Sequence, residues 1–199
     1  TTIRNIINAD KYARSRLWEK SPMPYGSGLA GKTLGIVGFG RIGEAVAERV
    51  LPLKLKIAYH NRTKKDSPHK YFASLIELAH NSDILLCSLP GGQGTERVIN
   101  REVFKALGPT GIFINIGRGT SVDENSLIEF LADKKIAAAG LDVYAEEPLI
   151  PKALRELDNT VLLPHIGSAT IETRDAMGDL VLQNLKAFFS KNVLVTEVK

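Results

Sequence analysis

Three polar clusters close apolar runs in the second half of the sequence, and each holds a residue suited to acid–base or anion chemistry. They are Asn115-Ile-Gly-Arg-Gly119, Gly140-Leu-Asp-Val-Tyr-Ala-Glu-Glu-Pro148 and Leu163-Pro-His-Ile-Gly-Ser-Ala-Thr170. Arg118 stands between two glycines, where a guanidinium beside exposed backbone suits a carboxylate and can polarise an adjacent carbonyl. His165 can give and take a proton near neutral pH, and Glu147 can hold its second ring nitrogen and favour the protonated form. Asp142 is an acceptor suited to a carboxamide. Arg118, Glu147 and His165 together fit reduction of a carbonyl by hydride from a nicotinamide. Plainer readings stand beside these. A histidine after a strand is usually a loop or packing residue, and Glu146 and Glu147 can be surface charges ahead of Pro148.

A fourth stretch, residues 33–44, carries Gly38, Gly40 and Gly43 between a short apolar run and an alanine-containing amphipathic segment. It reads as a strand, a tight turn and a helix start. Gly38 lets the chain turn, Gly40 lets backbone approach a bound group, and Gly43 lets the helix pack close on the strand. Free N–H groups at the helix start favour a phosphate. A dinucleotide is the expected ligand; another nucleotide, a methyl donor or an ordinary structural turn are the competitors. An acid about 20 residues further on would select the ribose hydroxyls of NAD. The sequence there is Tyr59-His-Asn-Arg-Thr-Lys-Lys65, with no acid before Asp66. Arg62 can grip a 2′-phosphate, and Asn61, Thr63 and Lys64 can add hydrogen bonds or charge. NADP is therefore expected first and NAD second. The alternative makes Arg62, Lys64 and Lys65 a solvated loop. His60 reads as a strand-end packing residue.

The elements that must position these residues follow from the apolar pattern. Strands are expected at 34–39, 56–60, 83–89, 111–116, 136–143 and 160–163. Helices are expected at 3–19, 42–51, 75–80, 101–107, 123–134 and 170–190, with Pro52 stopping the second and Ser74 capping the third. Residues 21–28 are a breaker-rich connection and 61–70 a polar loop. Continuous apolar strands alternating with helices predict a parallel sheet with right-handed crossovers. The fold class is α/β, a Rossmann-type doubly wound parallel sheet with flanking linker helices.

Composition narrows the function classes. The 199 residues carry a formal net charge of +4 with the signs interspersed, which does not point to nucleic acid. No apolar run reaches the roughly 18 residues of a membrane span. The one cysteine, Cys87, allows no disulfide within the chain and fits a reducing, cytoplasmic compartment. His60, His69, His80 and His165 show no paired spacing, so no metal site is expected.

These segments resemble the NAD(P)-binding domain of the D-isomer-specific 2-hydroxyacid dehydrogenases. The resemblance is carried by Val37-Gly-Phe-Gly-Arg-Ile-Gly43, Leu89-Pro90 with Thr95, Asn115-Ile-Gly-Arg-Gly119, Leu141-Asp-Val-Tyr-Ala-Glu-Glu-Pro148 and Pro164-His-Ile-Gly-Ser-Ala-Thr170. It implies Arg118, Glu147 and His165 as the catalytic set. Beside the glycines it implies cofactor contacts from Arg41, Ile42, Leu89, Pro90, Thr95, Ile116, Gly117, Asp142 and Gly167. Asn61-Arg62-Thr63 is similar to the NADP-preferring glyoxylate, hydroxypyruvate and hydroxyphenylpyruvate reductase branch, whose substrates are small 2-oxo acids reduced to D-2-hydroxy acids. Gly91-Gly-Gln-Gly94 departs from the usual threonine-containing sequence. The implied organisation is a linker helix and connection at 1–28, the Rossmann domain at 29–169 and a return helix at 170–199. The family's N-terminal substrate domain is expected to be absent from this chain, leaving cofactor binding with little or no turnover. The family pairs subunits through this domain, so a homodimer is expected; Trp18 and Tyr25 are candidate interface residues, with intrachain packing as the alternative. A formate- or phosphite-type dehydrogenase and a dinucleotide-sensing corepressor-like module are the competing readings.

Overall fold

The computed structural model describes residues 1–197. Seven strands are present: β1 (Thr33–Val37), β2 (Lys56–His60), β3 (Lys70–Tyr71), β4 (Ile84–Cys87), β5 (Ile112–Asn115), β6 (Ala138–Leu141) and β7 (Thr160–Leu162). They form one sheet in the order β3-β2-β1-β4-β5-β6-β7, and every pairing is parallel. All carboxyl ends therefore share one edge. The strand order reverses direction between β1 and β4, the place where open α/β sheets bind ligands.

Alternate residues of each strand feed two cores. On one face Leu34, Ile36, Ile57, Tyr59, Ile84 and Leu86 pack with Ala47 of α2 (Arg41–Val50). On the other, Val37, Ala58, Leu85, Cys87 and Phe113 pack under α3 (Leu75–His80), α4 (Arg101–Leu107) and α5 (Glu124–Ala132). Helices on both faces explain why the strands read as unbroken apolar runs. Side-chain caps start three of these helices: Ser74 accepts from Glu77 N–H, Asn100 from Val103 N–H and Asp123 from Ser126 N–H.

The chain divides into two compact units, Thr1–Pro164 and His165–Lys199. The second is built on α7 (Ile171–Lys191), opened by Thr170, whose hydroxyl accepts from Thr173 N–H at 3.2 Å. Asn184 ties the following tail to it, accepting from the N–H groups of Val195 and Thr196. None of the helix's residues is buried.

Several elements differ from the sequence expectation. The leading helix, expected over 3–19, is α1 (Ile6–Arg14) followed by a 3-10 turn at Leu17–Glu19. Arg16 breaks it in the left-handed region at φ 60. Nothing in α1 or that turn is buried, so no packing energy extends the helix. Trp18 is 73% exposed and Tyr25 fully so, and neither packs into the core of the described residues. β3 adds a seventh strand at the end of the segment read as loop, and α6 (Lys152–Glu156) lies where the apolar pattern predicts no helix. Among the described residues no helix is long and apolar enough to cross a membrane, and no cluster of three His, Cys, Asp or Glu is placed to hold a metal.

Phe104 is fully buried, with its ring edge-on to Phe113 at 5.3 Å and tilted against Phe130 at 5.9 Å. Phe104→Ala is expected to cost about 3–5 kcal/mol in chemical denaturation; a loss below about 1 kcal/mol would show that the α4 side of the core does not hold the sheet.

Candidate active site

The turn after β1 is fixed from three directions. Gly38 sits at φ +91, which an L side chain rarely adopts, and its N–H donates to His60 carbonyl at 3.1 Å. Its own carbonyl accepts from Ser88 Oγ at 2.8 Å, reaching across from the end of β4. Gly43 brings α2 against the same carbonyl: a Cβ there would lie 2.8 Å from Gly38 O. Gly40 differs. Its backbone is extended, at φ −102, and a Cβ there would meet nothing within 4 Å. The protein's own packing does not require glycine at 40, and the space it leaves opens on a cleft. No side chain caps the start of α2, so its first N–H groups face that end unclaimed by a capping residue.

The cleft has a volume of about 440 Å³. Of the expected cofactor residues, Gly38, Gly40, Asn61, Arg62, Thr63, Leu89, Pro90 and Thr95 line it together. Arg62 and Lys65 are its cations, and no carboxylate lines it. The Thr95 hydroxyl is used locally, 2.7 Å from Pro90 carbonyl. Arg41 and Ile42 are exposed at the start of α2. Gly117 packs on the backbone of Leu89, with Ile116 beside it donating to Cys87 carbonyl. A Rossmann dinucleotide fits these features: an uncapped helix start, a glycine whose missing side chain is needed only by a ligand, and cations at the end of β2.

Beneath the cleft lies an aromatic floor. Phe39 stacks on Tyr59 with ring centroids 4.5 Å apart and meets His69 edge-on. The Tyr59 hydroxyl donates to Lys65 carbonyl and accepts from Lys65 N–H, both at 3.0 Å, and so holds the loop that carries Arg62. His60 Nδ1 lies 3.0 Å from Phe72 carbonyl, in keeping with a strand-end packing role. Ser88 and Tyr59 were not singled out from the sequence. Ser88 stands directly before Leu89-Pro90, and that position was its only signal.

The Arg118 turn is organised by Asn115, buried at the end of β5. Asn115 Nδ2 donates to Arg118 carbonyl at 3.1 Å, and its Oδ1 accepts from Gly117 N–H at 3.0 Å. Ser121 Oγ donates to the same Arg118 carbonyl. The guanidinium is exposed, with Nη1 on Gly117 carbonyl at 2.8 Å. Asp142, next along β6, is buried, and its N–H donates to Asn115 carbonyl. Glu147 Oε1 accepts from Tyr144 N–H at 3.1 Å, and Glu124 Oε2 accepts from Ala145 N–H at 3.3 Å. Burial raises the Glu124 carboxyl above its ordinary range despite that bond. Burial also pushes the Tyr144 phenol up to about 12, with the charges of Asp142, Glu147 and Glu124 adding to the effect. It remains a neutral donor to Leu163 carbonyl at 2.9 Å. His165 and Gly167 belong to the second unit, in the turn ahead of α7 where Ala169 N–H donates to Ile166 carbonyl; His165 has φ 55.

Comparison with known proteins gives consistent results. Residues 1–167 match the family described as D-isomer specific 2-hydroxyacid dehydrogenase, NAD binding domain. The chain is 47% identical over 197 residues to a hydroxyphenylpyruvate reductase of Plectranthus scutellarioides, covering 98% of this chain and 63% of that protein. It is 44% identical over 197 residues to glyoxylate/hydroxypyruvate reductase A of Arabidopsis thaliana, with the same coverage of 98% and 63%. Among solved structures, an NADPH-dependent glyoxylate/hydroxypyruvate reductase from Sinorhizobium meliloti, in complex with NADP and malonate, superposes with a TM-score of 0.93 at 42% identity. That match covers 99% of this chain and 63% of the other. The chain thus spans less than two thirds of the length of these relatives.

The two glycines of the turn should separate on substitution. Gly43→Ala is expected to lower the melting temperature by several degrees, because its Cβ meets backbone. Gly40→Ala is expected to leave the melting temperature nearly unchanged and to weaken dinucleotide binding, as read by calorimetric titration. The reverse pattern would refute the division of roles.

Proposed function

The chain belongs to the D-isomer specific 2-hydroxyacid dehydrogenase family, whose NAD-binding domain it carries, and from that premise we propose that it binds NADP(H) and serves the reduction of a small 2-oxo acid such as glyoxylate or hydroxypyruvate. The observation that carries the NADP choice is the cleft at the β1/β4 switch point, which Arg62 and Lys65 line and no carboxylate does. A 2′-phosphate is attracted there, and nothing lining the cleft is placed to repel it or to accept from ribose hydroxyls as an acid would. The NADP-bound relative from S. meliloti supports the same reading.

In this proposal the cofactor site is built from Gly38, Gly40, Arg41, Ile42, Gly43, Asn61, Arg62, Thr63, Leu89, Pro90, Thr95, Ile116, Gly117, Asp142 and Gly167, whether by direct contact or by shaping the turns that make it. The bound nicotinamide supplies hydride. Arg118 holds the substrate carboxylate and polarises the neighbouring carbonyl; its exposure and fixed turn suit that task. His165 donates the proton to the carbonyl oxygen in reduction and takes it back in oxidation. Glu147 is assigned the role of orienting the imidazole. The buried acceptor Asp142 holds the nicotinamide carboxamide. The working division of the chain is a linker over 1–28, the Rossmann domain over 29–169 and a return segment over 170–199, whose helix is α7 and whose residues 198–199 lie outside the described ones. Exposed Trp18 and Tyr25 support a homodimer, and the single buried thiol of Cys87 supports a cytoplasmic setting.

Titration with NADPH and NADH tests the cofactor assignment. NADPH is expected to bind more tightly, and Arg62→Ala to weaken NADPH by about tenfold or more while leaving NADH within about twofold. Equal binding of the two cofactors, unmoved by Arg62→Ala, would end the 2′-phosphate assignment. In steady-state assays with hydroxypyruvate on an enzyme that also carries the family's substrate domain, His165→Ala is expected to lower kcat by about 10²–10⁴; intact turnover would remove His165 from the acid–base role.

A further inference from the structure

Asn61 belongs to the loop assigned to the 2′-phosphate, yet both ends of its carboxamide are bonded within the protein. Its Oδ1 accepts from Phe39 N–H at 2.6 Å, and its Nδ2 donates to Phe39 carbonyl at 3.1 Å. The partners fix the orientation of the amide, because a backbone N–H only donates and a carbonyl only accepts. Phe39 is the middle residue of the Gly38–Gly40 turn. The last main-chain bond between the two strands is Gly38 N–H to His60 carbonyl. The Asn61 side chain therefore extends the β1–β2 pairing one step beyond the sheet, joining the glycine turn to the start of the cationic loop. Other contacts brace the same block: Tyr71 Oη donates to Asn61 carbonyl at 3.2 Å, and the Phe39 ring stacks on Tyr59, whose hydroxyl pins Lys65.

We propose that Asn61 is a positioning residue, which locks the pyrophosphate turn and the 61–65 loop into one rigid unit and makes no side-chain bond to the dinucleotide. The inference rests on the dinucleotide reading of the cleft. It differs from that reading in the effect of removing the side chain. A direct ligand of the 2′-phosphate serves NADPH alone. A clamp on Phe39 serves every dinucleotide that uses the glycine turn.

The test compares Asn61→Ala and Asn61→Asp with wild type by calorimetric titration of NADPH and NADH, together with amide hydrogen exchange of the ligand-free protein. Asn61→Ala is expected to weaken both cofactors by a common factor of about ten, leaving their ratio within about twofold. The exchange of the Phe39 amide should rise. Asn61→Asp keeps the acceptor for Phe39 N–H but sets a carboxylate against Phe39 carbonyl, so NADH is expected to weaken as well. An acid acting directly on the ribose hydroxyls would instead tighten NADH. Selective loss of NADPH in Asn61→Ala, tighter NADH in Asn61→Asp, or an unchanged Phe39 amide would each overturn the proposal while leaving the cofactor site standing. A wild-type protein that binds neither cofactor would overturn the dinucleotide reading itself, and the proposal with it.

Discussion

The close approach of α2 to β1 is the constraint from which the carboxyl edge of the sheet is built. At Gly43 there is no room for a single further carbon, because Gly38 carbonyl already lies where a Cβ would press. That contact holds the helix start at the end of the strand. It is stable only if the turn between them has one shape. Neighbouring strands supply that restraint: Ser88, after β4, donates to Gly38 carbonyl, and Asn61, after β2, pairs with both polar groups of Phe39. A turn restrained from both sides loses little freedom when a ligand arrives, so more of the contact energy remains as affinity.

The other half of the edge follows similar logic around Tyr144. Glycine at 119 lets the Arg118 turn pack directly on the Tyr144 backbone, where any side chain would overlap it. Tyr144 N–H binds Glu147, its hydroxyl reaches Leu163 carbonyl at the end of β7, and Ala145 N–H is held by Glu124. The phenol is buried with carboxylates nearby and so stays protonated throughout the neutral range. One aromatic residue thus connects the turns that carry Arg118 and Glu147 to the last strand. Positioning here depends on buried neutral donors and on glycine clearance, and the charged groups themselves are left near the surface.

The sequence was most legible where burial alone decides structure. β2, β4, β5, β6 and β7 lie within the runs read as strands, and β1 starts one residue ahead of its run, because a strand covered on both faces must be apolar throughout. The two-residue β3 and the five-residue α6 are too short to establish a period, and the apolar side chains of residues 3–19 suggested a longer helix than packing supports. Within the site, residue types were legible and partners were not. Gly40 and Gly43 are the same letter in one motif, but one is required by backbone contact and the other leaves open space. Asn61 offered a donor and an acceptor, and sequence spacing alone suggested an outside ligand for them. Only the register of β1 on β2, with Val37 beside His60, brings Phe39 within reach.

On the proposed NADP reading, restraint at the end of β2 is also what would give the cationic loop its selectivity. Two flexible cations on a free loop would attract any anion weakly and lose side-chain freedom in doing so. Here the loop backbone is held at Asn61 by Phe39 and at Lys65 by the Tyr59 hydroxyl, so Arg62 stands on a short fixed arc. The guanidinium it presents is a planar fork whose geometry matches a phosphate. In the proposed reading, discrimination between the two cofactors comes from the one group in which they differ, and the restrained backbone sets where that group would lie relative to the glycine turn.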